Sequence, residues 1–178
     1  MKTVCIERST GSARDGTWQE ELDLEGGVDR FIIGTGPGSF AGIRSALAFA
    51  LGYAAGRPGC SVLGLPSPAA LVEKEGPFAV VGDARRGLFW IALFDDFSFA
   101  TPIFQTTQDE LEKRVPAMAS VVSPDDSRIG AILKETFGER YLGERLPTAD
   151  GLKRFAERSP ESLVENPLPV YLNPAVRK

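Results

Sequence analysis

Histidine is absent from this chain of 178 residues. That excludes a zinc site of the H-E-x-x-H type. It also excludes Ser-His-Asp and Cys-His catalysis, so any acid–base chemistry falls to carboxylates, lysines or tyrosines. Cysteine is nearly absent too. Cys5 and Cys60 lie far apart, and they read as reduced thiols rather than a disulfide framework. No window reaches the roughly 18 apolar residues of a membrane span. The start, MKTVCIERS, has no apolar run of secretory length. A soluble, cytoplasmic protein is expected. Basic excess is also missing: the net charge is −4, which speaks against a dedicated nucleic-acid binder.

What is present is ordinary globular material, with 43% apolar and 25% charged residues, so global disorder is not expected. KTVCI (2–6), DRFIIGT (29–35) and CSVLGL (60–65) read as strands, and a short strand is expected near Trp18. A helix is expected over 41–55. SPAALVEKEG (67–76) reads as a short helix, with Ser67 as N-cap, Pro68 at the first helical position and Gly76 as the stop. This alternation is an α/β pattern.

The pattern then restarts. FAVVGDARRGLFWIALFDD (78–96) reads as a β-hairpin through a tight DARRG turn, and TPIFQT (101–106) as a further strand. Thr107 and Glu110 match a capping box ahead of a helix over 108–115. ASVVS (119–123) is a strand, followed by helices over 124–138 and 150–159. Prolines 167, 169 and 174 make the tail extended. VCIERSTGSARDG and AVVGDARRGLFW echo each other: a strand, then an acidic residue (Glu7 or Asp83), then a polar turn.

The segment FIIGTGPGSFAGIRSALAFALGYAAG (31–56) carries two open questions. Gly34, Gly36, Pro37, Gly38 and Ser39 form a glycine turn ahead of a helix, where backbone amides attract anions. The turn lacks the Lys-Ser/Thr of a Walker loop and the G-x-G-x-x-G frame. It is either a phosphate cradle or a tight strand-to-helix corner. The helix places Ile43, Leu47, Leu51 and Ala54 on one stripe, and Gly42, Ala46, Phe49, Ala50 and Tyr53 on another. A helix without a polar face is buried on two sides. The second stripe is either core or an interface. Arg44, the one charge in the segment, is a candidate anion contact, as are Asp83 and Arg85. Asp83 reads either as a cation ligand or as a turn aspartate holding backbone amides, and Glu7 shares that ambiguity. Arg44, Arg85, Arg86 and Arg177 read either as contributors to an RNA surface or, being dispersed on an acidic chain, as solvated side chains. The aromatic residues Phe89, Trp90, Phe94, Phe97 and Phe99 read as hairpin core.

Three landmarks, in order, resemble those of the bacterial TsaB (YeaZ) family. GTGPGSFAGIRSALAFALGYAAG resembles its G-x-GPGSFTGxR signature and following helix. VVGDARRGLFWIALF resembles its I-D-A-R-x-G-E-V-Y-W-A hairpin, and PLPVYLNPAV its P-V-Y-L-R tail. The resemblance covers most of the chain from Phe31 onward. It implies an actin-like (ASKHA) α/β fold with two RNase H-like halves, here 1–76, which is reduced, and 77–178 with the tail. It implies a non-catalytic subunit that supports TsaD in making N6-threonylcarbamoyladenosine in tRNA. An ATPase, TsaE, joins the complex, and the subunit forms a homodimer when alone. No cofactor and no direct tRNA contact are implied. The family was once labelled glycoprotease-like, and the absence of histidine argues independently against a metalloprotease.

The departures are specific. Glu7 and Arg8 stand where the family has Asp and Thr, Ala41 where it has Thr, and Asn173 where it has Arg. The segment between Thr10 and Phe31 is too short for the family's hairpin and long helix. The resemblance places the protein interface on Gly42, Ala46, Phe49, Ala50 and Tyr53. The competing expectations are a nucleotide-binding enzyme of the actin-like class and a self-associating scaffold outside the pathway.

Overall fold

A computed structural model describes residues 1–10 and 22–172. The elements run β1 (Thr3–Ile6), β2 (Arg30–Gly34), α1 (Phe40–Ala55), β3 (Ser61–Leu65), a 3-10 turn (Ser67–Leu71), β4 (Phe78–Arg85), β5 (Leu88–Asp95), β6 (Ser98–Phe99), β7 (Phe104–Thr107), α2 (Gln108–Arg114), β8 (Ser120–Ser123), α3 (Asp126–Phe137), β9 (Tyr141–Glu144), α4 (Ala149–Arg158) and β10 (Val164–Glu165). They form two compact units, Met1–Ala70 with Pro147–Val170, and Leu71–Leu146 with Tyr171–Lys178. The expected strand near Trp18, and Asn173 and Arg177, lie outside the described residues. No helix lies between β1 and β2 among the described residues.

In the first unit, β1, β2 and β3 form a parallel sheet, and β10 adds antiparallel to β3. Helix α1 is the crossover from β2 to β3. Phe31, Ile32 and Ile33 of β2 are all buried, the continuous apolar run expected of a strand covered on both faces. Phe31 and Ile33 point toward α1, where they pack with Ile43, Ala46, Leu47 and Ala50. The opposite face is covered by α4, which packs on β1 and β2.

This corrects the sequence division into 1–76 and 77–178. Helix α4 lies in the second stretch by position but belongs to the first unit. Its buried stripe of Gly151, Leu152, Phe155 and Ala156 requires an apolar sheet to cover. Burial of Leu152 and Phe155 contributes about 1.5–3 kcal/mol each. At Gly151 the helix backbone lies so close to the Ala70 carbonyl that a Cβ would overlap it.

In the second unit, β4 and β5 form the expected hairpin. Arg86 and Gly87 make its two-residue turn with φ of 56° and 76°, the left-handed pair of a type I′ turn. β7 and β6 extend β5, while β8 and then β9 add in parallel beyond β4. Alternate residues Ala79, Val81, Phe89 and Ile91 face Leu111 of α2 and Ile129 and Leu133 of α3.

Two local expectations are corrected. The stretch 67–76 forms a 3-10 turn over Ser67–Leu71 and no longer helix. The Ser67 hydroxyl accepts the Gly36 N–H, so it is committed across the fold. Thr107 occupies the N-cap position of α2 but makes no side-chain capping bond. It is still paired to Leu88 as the last residue of β7, and Glu110 bonds Lys113 instead.

Gly151→Ala tests the seat of α4. Helix propensity alone favours Ala by about 1 kcal/mol. Overpacking against the Ala70 carbonyl opposes it by about 1–3 kcal/mol. A net loss of stability in urea titration is expected; a gain would show that α4 is not held at this distance.

Candidate functional site

Both stripes of α1 are mostly internal: in the first, Ile43 and Leu47 are buried and Leu51 alone is exposed. Gly42, Ala46 and Ala50 are buried by the chain itself. At Gly42 a Cβ would overlap the Arg8 carbonyl. Phe49 and Tyr53 stand edge-on to Phe31, with ring centroids 6.2 and 5.2 Å away, and the Tyr53 hydroxyl accepts the Val28 N–H at 3.1 Å. The residues expected to form a protein interface are therefore internal packing. The physical reason is that Tyr53 must pair its hydroxyl, and only this side of the helix brings it to an open amide.

The opposite side faces water. Ala41, Arg44, Ser45, Ala48, Gly52 and Ala55 are exposed, together with Leu51 at 50% and Phe40 at 45%. These positions repeat at helical spacing and form one face. Its single charge, Arg44, lies over the Phe40 ring at 4.3 Å, where guanidinium and ring attract. Arg44 marks the outward side, and counting from it at three- and four-residue steps was the sequence signal that locates this face.

The glycine turn is closed on its own chain. The Thr35 N–H donates to Leu65 O, the Ser39 N–H to Ser9 O, and the Gly36 N–H to the Ser67 hydroxyl. Ser39 caps α1, its hydroxyl accepting the Gly42 N–H at 3.4 Å. Gly36 and Pro37 are buried. These three amides are paired within the chain, as in a strand-to-helix corner, and are not free to cradle a phosphate.

Beneath the turn lies Glu7, whose role the sequence left open. Its Oε1 accepts the Ser9 N–H at 2.7 Å. Its Oε2 is shut off from water and has no hydrogen-bond partner among the described residues. A Cβ at Gly34 would overlap this carboxylate, so only glycine admits it. Burial pushes the Glu7 carboxyl above its ordinary value, against the opposing influence of Ser9, Ser67 and the Arg8 amide. The Ser67 hydroxyl is near enough to favour the ionised form, but falls short of hydrogen-bond geometry with Oε2.

Asp83 lies near the end of β4, as Glu7 directly follows β1. Its Oδ1 accepts the Arg85 N–H at 2.7 Å, the same bond to the amide two residues on. Here the surroundings are ionic. Arg85 and Arg128 lie 3.4 and 3.5 Å from Oδ2, and the Asp83 N–H donates to Asp125. Asp83 and Arg85 thus satisfy each other in the turn. They belong to a different unit from Arg44. Among the described residues no group of three or more Cys, Asp or Glu is placed to hold a metal ion, and no helix is long and apolar enough to cross a membrane.

No family model and no curated protein matches this sequence. Solved structures do. An uncharacterized protein with similarity to peptidase YeaZ from Pseudomonas aeruginosa aligns with a TM-score of 0.69 at 19% identity, over 97% of this chain and 100% of its own. YeaZ from Pseudomonas aeruginosa aligns with a TM-score of 0.67 at 20% identity, over 95% of this chain and 99% of its own. The fold is YeaZ-like.

On this YeaZ-like fold the two sides of α1 respond differently to added volume. Ala46→Leu forces a larger side chain into a closed site and is expected to lose about 1–3 kcal/mol in denaturant titration. Ala48→Leu on the outer side is expected to stay within about 0.5 kcal/mol. Equal losses would show that both sides are packed.

Proposed function

We propose that this chain is a non-catalytic, TsaB-like subunit that supports a TsaD-like protein in making N6-threonylcarbamoyladenosine in tRNA. The observation that carries the reading is the outer face of α1. Phe40 and Leu51 stand about half exposed among Ala41, Ala48, Gly52 and Ala55. An outward helix face that carries large apolar side chains among small ones and a single charge is a surface suited to an interaction. The small residues let a second helix approach closely, and Phe40 and Leu51 supply apolar area, worth about 25 cal/mol per Å² buried.

The docked partner is a TsaD-like protein, and in its absence a second copy of this chain covers the same face. In this reading α1 presents its outer side as one part of a helix bundle. The chain contributes surface and support, the chemistry belongs to the partner, and a TsaE-like ATPase joins the assembled pair. The glycine turn holds the helix at its correct angle and binds no phosphate. The YeaZ-like fold supports this assignment at the level of architecture, and the three sequence landmarks support it at the level of role.

Titration of the chain against the TsaD-like protein of the same organism tests the reading. Saturable binding is expected. Leu51→Lys is expected to weaken it about tenfold or more, or about 1.4 kcal/mol, with the thermal midpoint unchanged. Absence of binding, together with normal tRNA modification in cells lacking the gene, would refute the proposal.

A further inference from the structure

We infer that Glu7 is a proton-operated latch: while its carboxyl is neutral it ties the end of β1 to both sides of the glycine turn and seats the first turn of α1, and when it ionises the turn loosens. The inference is independent of which partner α1 meets.

The geometry is a chain of hydrogen bonds. Glu7 Oε1 accepts the Ser9 N–H. The Ser9 carbonyl accepts the Ser39 N–H. The Ser39 hydroxyl accepts the Gly42 N–H inside α1. On the other side of the carboxyl lies Ser67, whose hydroxyl accepts the Gly36 N–H at 2.9 Å. One side chain therefore touches the approach to both arms of the turn, Gly34–Gly36 and Gly38–Ser39.

Oε2 decides the direction. It is buried, and no donor of good geometry reaches it among the described residues. An ionised carboxylate is acceptor-only, whereas a neutral carboxyl carries one O–H donor. A buried charge whose second oxygen makes no hydrogen bond is strongly disfavoured. With the proton on Oε2, that oxygen carries no charge to leave unpaired, and Oε1 keeps its bond from the Ser9 N–H.

The surroundings offer little charge to offset ionisation. The glycine turn Gly34–Ser39, the 3-10 turn Ser67–Leu71 and the first turn of α1, Phe40–Ile43, contain no titratable side chain. Arg44 comes next on α1, on its exposed side over Phe40. Along the chain the neighbours are Cys5 on β1 and Arg8 just after it, and the Arg8 amide also favours the ionised form of Glu7. On β2 the one charged residue is Arg30, at the far end of the strand. On α4, Asp150, Lys153 and Glu157 act on Cys5, and Arg154 bonds the Ala70 carbonyl. Burial is accordingly the dominant influence on the Glu7 carboxyl, and it acts upward.

The sign follows. A carboxyl raised in the folded state contributes stability that is complete below the ordinary value of 4.5 and is lost as the pH rises through its raised value. The loss begins at the glycine turn, because that is where the bonds are anchored.

Glu7→Gln keeps the shape and the donor but cannot ionise. Between about pH 5 and about pH 8, the amides of Gly36 and Ser39 in the wild type are expected to lose about tenfold more hydrogen-exchange protection than in Glu7→Gln. Amides of α3 are expected to show no such difference. Equal behaviour of the two proteins would overturn the latch. A direct check uses the wild type alone: the carbon-13 shift of the Glu7 carboxyl is expected to titrate above the ordinary value, together with the amide shifts of Gly36 and Ser39. Titration at the ordinary value, or without those amides following, would overturn it equally.

Discussion

The first unit depends on the seating of one helix against one strand. Helix α1 is apolar on nearly every side, so hydrophobicity alone does not choose which side turns inward. The choice is made by directional contacts. The Tyr53 hydroxyl accepts the Val28 N–H, the Tyr53 ring stands edge-on to Phe31, and Gly42 allows the first turn to rest on the Arg8 carbonyl. Rotating the helix would leave the Val28 amide unpaired, a penalty of about 1–3 kcal/mol for a buried group. The surface left outside is then fixed as well.

The glycine turn serves the same seating. It turns the chain from β2 into α1 within a few residues, pairs its amides with Leu65, Ser9 and Ser67, and gives α1 its Ser39 cap. A carboxyl placed underneath couples this corner to the protonation of one side chain. Asp83, at the equivalent strand end of the second unit, makes the same bond to the amide two residues on. Flanked by two arginines and closer to water, it forms an ordinary turn. The described part of the sequence echo is therefore one shared hydrogen bond placed in two electrostatic settings, and most of the polar turn of the first copy lies outside the described residues.

Much of this was legible in the residues. Strands β1 to β3, the β4–β5 hairpin, β7 and β8, and the approximate positions of α1, α3 and α4 follow from short β-branched runs, helical spacing, and glycine and proline placement; the short strands β6, β9 and β10 gave no such signal. Three things were not. The inward side of α1 was ambiguous because Phe49 and Leu51 are similarly apolar, and Val28, which settles the matter, is 25 residues from Tyr53. The return of α4 to the first unit was hidden because an amphipathic stripe does not name the sheet it covers. The role of Glu7 was hidden because Ser67, 60 residues away, defines its surroundings. In each case the missing information is a long-range contact.

The central claim is that α1 meets its partner with the side left outside by Tyr53. Cross-saturation NMR on the methyl-labelled chain, bound to the unlabelled TsaD-like protein, reads this directly. Saturation should reach the methyls of Ala41, Ala48, Leu51 and Ala55 and leave those of Ala46 and Ala50 unaffected. Transfer confined to methyls elsewhere on the chain would contradict it.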